Sequence, residues 1–130
     1  MNLDKRYLVW ALGFAVVGMV LGIYMAASNN HSELVAHAHI LLIGFVVSFI
    51  YALIHRLWLH QPARGIANLQ FALHQIAALT LAVGLFLIYG SYVAAEKLDR
   101  VMAAASLCVL AAMLLMIYMV IKFGAREGGK

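Results

Sequence analysis

A single cysteine, Cys108, and a single proline, Pro62, are all that 130 residues contain of either kind. One thiol excludes an internal disulfide and any multi-cysteine metal or iron–sulfur centre. Pro62 stands in a short polar stretch, where it can open a helix without breaking one. Charge is scarce too: five Asp plus Glu and nine Lys plus Arg make up 11% of the chain. With 66% hydrophobic residues and a mean hydropathy of +0.97, the chain carries more apolar side chain than a soluble domain of this size can hide. It reads as an all-α integral membrane protein. The formal charge of +4 does not point to nucleic acid, because the basic residues fall in the short connections that membrane topology makes basic.

Four stretches free of charge are long enough to span about 30 Å of hydrocarbon, which takes roughly 20 helical residues. They cover 7–27, 34–54, part of 66–95, and 101–121, and predict transmembrane helices over about 7–27, 34–58, 63–93 and 98–123. The chain 1–130 then forms a single four-helix transmembrane domain. Strands are disfavoured, since the segments do not alternate and four cannot close a barrel. Lys5 and Arg6 before an apolar run, with Ala26-Ala27-Ser28 after it, mimic a signal peptide. The run is too long for a signal core, so a retained first helix is expected. Lys5, Arg6, Arg56, Arg64, Lys122, Arg126 and Lys130 share one side, and only Lys97 and Arg100 take the other. Both termini are therefore expected inside, in a bacterial cytoplasmic membrane. Gly18, Gly22 and Ala26 form a small-residue stripe, and Ala103, Ala104, Ala105, Ala111 and Ala112 give the last helix smooth patches; close packing within the bundle is the first reading, subunit association the second. Tyr7, Trp10, Tyr24, Tyr51, Tyr89, Tyr92 and Tyr118 mostly fall near span ends, as an aromatic belt would.

His37 and His39 stand at the outer end of the second span, in Val35-Ala36-His37-Ala38-His39-Ile40-Leu41-Leu42. Two imidazoles in so apolar a segment are costly unless each finds a partner. A helix turns about 100° per residue, so these rings leave on opposite flanks and suit two separate sites. Neutral imidazole ligates haem iron, copper or zinc. Hydrogen bonding to a neighbouring helix is the plain alternative.

The segment 35–42 resembles the Val-Ala-His-Phe-His-Tyr-Val-Leu stretch of the haem–copper oxidase catalytic subunit. In that family the two histidines bind haems on opposite sides of one helix. The subunit has twelve helices in three arcs of four, with metal ligands on the second helix of each arc. By resemblance this chain corresponds to one arc, and three copies would rebuild the ring as a homotrimer. The resemblance implies a haem b held between neighbouring subunits by His37 of one and His39 of the next. It also places Lys97 and Arg100 where the family pairs basic residues with haem propionates; the alternative is an ordinary loop beside Glu96 and Asp99. The family's His-Pro-Glu-Val-Tyr motif and the His-His pair of its copper site are missing, and nothing matches its cross-linked tyrosine. Oxygen reduction is therefore not expected, and bis-His iron favours electron transfer over catalysis. The donor or acceptor would be a quinol or a periplasmic protein.

His74 is a further buried candidate, expected level with Ser48 and so about 13 Å below His39 along a regular helix. It serves a second haem, a quinone pocket, a proton path, or packing with Gln70 and Gln75. His31, Glu33 and His37 form an outer cluster, with Glu33 and His37 at i, i+4, that a copper or zinc ion would fit. This is the competing function: a metal-binding or metal-handling membrane protein without haem, while a redox-inactive accessory subunit is a third. The spans contain no Asp or Glu, which argues against an ion path. His55 and His60 are expected solvated at the inner rim, and Cys108 inert in mid-helix.

Overall fold

The computed structural model describes residues 1–124. Arg126 and Lys130, which contribute to the inside bias, lie outside the described residues. The fold is all-helical: α1 (Leu3–Ser28), α2 (Leu34–Leu57), α3 (Arg64–Tyr89) and α4 (Ala95–Phe123), each long and apolar enough to cross a membrane. Local chemistry sets the ends. α1 starts ahead of Tyr7 and takes in Asp4, an acid in the first turn that suits the helix dipole. It stops at Asn29, which adopts the left-handed conformation with φ 54°. Gln61 (φ 47°) and Ser91 (φ 62°) mark the turns before α3 and after it. The latter ends α3 at Tyr89, short of 93.

α1 packs along the whole of α2, and α3 packs chiefly on α4, while α1 and α3 scarcely touch. An Asp4–Arg56 ion pair (3.6 Å) and a His60 N–H to Phe123 carbonyl bond (3.2 Å) gather the start of α1, the α2–α3 turn and the end of α4 at one end of the bundle. Lys5, Arg6, Arg56, Arg64 and Lys122 belong to that end, whereas Lys97 and Arg100 open α4 at the other. Much apolar surface stays uncovered, including Val16, Ile23, Leu107 and Ile121, for lipid or another subunit to meet.

α2 is not a regular α-helix. Ile40–Val47 is a π-helical segment immediately after His39, with no proline to cause it. Ala36, Ile40, Gly44, Ser48 and Ala52 are all buried, a stripe with a step of four. On a 3.6-residue helix such a stripe drifts about 40° per step and soon leaves its face. The wider π turn holds it against α1 and α3.

The small-residue stripe of α1 serves that contact. Gly18 faces the Leu41 side chain and Gly22 the His37 ring, while Ala26 is exposed. On α4, Ala105 and Ala112 are buried, and Ala103, Ala104 and Ala111 are exposed. A Cβ on Gly44 would stand 2.5 Å from the Phe14 ring on α1. Gly44→Ala should therefore lose about 1–3 kcal/mol through overpacking. Gly13→Ala, with nothing within 4 Å of its Cβ, should gain up to about 1 kcal/mol of helix propensity. Thermal unfolding in detergent would show midpoints moving in opposite directions.

Candidate functional site

The loop before α2 is tied by Asn30, whose side-chain oxygen accepts a bond from the Ser32 N–H at 3.0 Å. The Glu33 carbonyl accepts from the His37 N–H at 2.9 Å, which begins the helix. Leu34–His39 is regular α-helix, so His37 and His39 do leave by different sides. His37 turns to α1, where its Nδ1 lies 2.8 Å from the Gly18 carbonyl. Its ring fits over Gly22, where a Cβ would come within 3.0 Å of Cε1. Among the described residues His39 makes no side-chain hydrogen bond outside its own helix; its Nδ1 lies 2.9 Å from the Val35 carbonyl.

Both contacts define the rings' protonation. A carbonyl only accepts, so each Nδ1 must carry the hydrogen, and each Nε2 then holds a lone pair. Neither Nε2 has a hydrogen-bond partner among the described residues. Metal-ligating histidines are commonly arranged this way, with the far nitrogen donating to a carbonyl that fixes ring orientation. The donor set therefore fits a metal centre that Nε2 of His37 or His39 would hold. The same bonds would also satisfy two packing residues. Lys97 and Arg100 are exposed on the first turns of α4 rather than in a loop, at the end of the bundle that carries Glu33.

The outer trio does not assemble. His31 is exposed, His37 is turned to α1, and Glu33 is buried toward Gly90. Glu33 sits at the cap position, ahead of the helical turn, so the i, i+4 rule for a common face does not reach it. No group of three or more His, Cys, Asp or Glu is placed to hold a metal ion among the described residues. Burial raises the pKa of Glu33 above the ordinary carboxylate value. The folded state then holds its proton more tightly than the unfolded chain, so Glu33 lowers stability as pH rises from the ordinary carboxylate range through the raised value. Glu33→Gln should flatten that part of the stability–pH curve, measured by unfolding at a series of pH values.

His74 sits deeper and is fully buried. Its Nε2 pairs with the Ser48 hydroxyl at 3.2 Å, so the two residues are level as spacing predicts, and Gln75 donates to the same hydroxyl at 3.2 Å. The Tyr51 ring meets His74 edge-on with centroids 4.9 Å apart. Gln70 accepts from the Tyr7 hydroxyl and donates to the Ala112 carbonyl at 3.2 Å. These bonds join all four helices. The ring is completely buried, and its Nδ1 has no hydrogen-bond partner among the described residues.

Two sequence expectations are corrected here. Tyr7 and Tyr51, assigned to an aromatic belt, are 0% and 1% exposed and form the centre of the inner core. Their hydroxyls find Gln70 and the Met113 sulfur inside the bundle, which removes the need to reach the headgroups. His55, expected solvated, is half-buried and stacks on Tyr7 with centroids 5.7 Å apart; His60 is exposed. Helix α4 also carries Met113, Met116 and Met119 at three-residue spacing. Met116 and Met119 are buried in the inner core, where they fill space beside the tyrosines.

No protein-family model, curated protein or solved structure matches the chain. The class that fold and composition define is a four-helix, multi-pass membrane protein.

Proposed function

We propose that this chain is a small b-type cytochrome of the bacterial cytoplasmic membrane, with both termini inside, that transfers electrons without reducing oxygen. The observation that carries the reading is the pair of Nδ1–carbonyl contacts, which leaves one Nε2 lone pair on each flank of α2. One helix offering iron ligands in two directions can serve two interfaces. Three copies in a closed ring, with haem b between His37 of one and His39 of the next, use every ligand. Bound iron would supply one-electron exchange. The Gly18 and Val35 carbonyls orient the two rings and keep Nε2 unprotonated. Gly22 leaves room for the His37 ring, and Lys97 and Arg100 offer cations for the propionates. The resemblance of 35–42 to the haem–copper oxidase segment supports the same reading, with a quinol or a periplasmic protein as redox partner.

The absorption spectrum of the purified protein tests it. Reduction with dithionite should produce the sharp alpha band of bis-His haem. A colourless preparation that takes up no haem overturns the proposal, and copper or zinc found in its place would favour a metal-handling protein using His37 and His39.

A further inference from the structure

The separation of α1 from α3 leaves a cleft of about 690 Å³ in the outer half of the bundle, with Ile40 of α2 on its floor. Val17, Val20 and Leu21 line one wall and Leu79, Val83 and Phe86 the other. Its outer end holds Glu33, Tyr24 and Tyr92, and no Lys, Arg or His lines it among the described residues. Phe86 and Tyr92 stack there with centroids 5.8 Å apart. Glu33 is only 4% exposed, and its Oε2 has no hydrogen-bond partner among the described residues. Gly90 makes room for this carboxyl, since a Cβ there would stand 2.5 Å from Oε1.

From this geometry we infer that the cleft between α1 and α3 binds a hydrophobic organic cation, with Glu33 as its counter-charge and Tyr24, Phe86 and Tyr92 as aromatic contacts. Charge decides the class of ligand. A buried carboxylate with no internal partner is costly, and a cation alongside removes that cost. Aromatic faces add attraction for a desolvated cation, and the apolar walls take its hydrocarbon body. An anionic phospholipid headgroup would meet a carboxylate with no cation lining the cleft to offset it. A neutral lipid-soluble molecule would leave the charge uncompensated. Neither His37 nor His39 lines the cleft, so this site stands apart from the proposed haem ligands.

The probe is tetraphenylphosphonium, titrated calorimetrically into the purified full-length chain in a neutral detergent at neutral pH. Tetraphenylborate, of the same shape and opposite charge, controls for plain hydrophobic partition and requires no variant. The phosphonium should bind saturably, at least ten-fold tighter than the borate. Glu33→Gln should weaken it at least ten-fold, and Val83→Trp, at a position 56% exposed and so tolerant of bulk, should block it by filling the cleft. No phosphonium binding, equal binding of the two ions, or unchanged affinity in either Glu33→Gln or Val83→Trp would overturn the inference. A co-purified quinol or phospholipid that the phosphonium fails to displace would overturn it as well. Haem content is read from the same samples, so failure here and failure of the cytochrome reading are distinct outcomes.

Discussion

His37→Ala and His39→Ala are each expected to reduce haem per folded chain to below about one-tenth of the parent value, since even second-sphere changes at metal sites cost about 10–100-fold. The reason is symmetric. In the proposed ring every haem iron would take one nitrogen from each residue type, so deleting either ligand would break all sites at once. The variants should still fold, because both rings are only partly buried and each makes a single bond to a carbonyl within the helical backbone. His74→Gln should keep its haem. The measurement is a pyridine haemochrome assay per protein, with circular dichroism to confirm helicity. Full haem in both alanine variants would transfer the iron to another residue, His74 first. Gly22→Ala is a gentler probe: its Cβ would stand 3.0 Å from His37 Cε1, so the ring must tilt and the alpha band should shift or broaden.

The second large effect belongs to Gln70. Both it and Tyr7 are fully buried, and the tyrosine hydroxyl has no other partner among the described residues. Gln70→Leu leaves that hydroxyl unpaired, which should cost about 2 kcal/mol, the middle of the roughly 1–3 kcal/mol range for a stranded buried polar group. Tyr7→Phe alone leaves the Gln70 carbonyl oxygen stranded and should cost a similar amount. The double variant removes both partners and should recover to within about 1 kcal/mol of the parent. The Ala112 carbonyl, inside α4, retains its own helical bond. A double-mutant cycle on unfolding free energy in detergent measures the coupling. Strictly additive losses would mean that the bond contributes nothing and that Tyr7 acts through packing alone.

The four helices were legible because length and absence of charge suffice inside a bilayer: any backbone crossing it must bond internally, and a helix does so within one segment. The level of His74 against Ser48 was legible for a related reason, since two antiparallel helices joined by a short turn place residues at matching distances from it. Side-chain environment was not. Tyr7 and Tyr51 carry the composition of a lipid-interface belt, and only the convergence of all four helices turns them into core. Glu33 and His37 have the spacing of a shared metal face, yet the helix starts one residue too late for them to share it.

Sequence alone determined that this chain has four helices long and apolar enough to cross a membrane, and that one of them carries imidazoles on two flanks. Those properties follow from residue identity and from a fixed turn per residue. Tertiary structure decided the rest: the π turn that keeps a four-residue stripe on one face of α2, the carbonyls that accept from both histidines and so hold them in the Nδ1–H form, and the cleft beside Glu33. Each depends on how far apart two helices sit, and that distance is set by side chains far apart in the chain, such as Gly44 against Phe14.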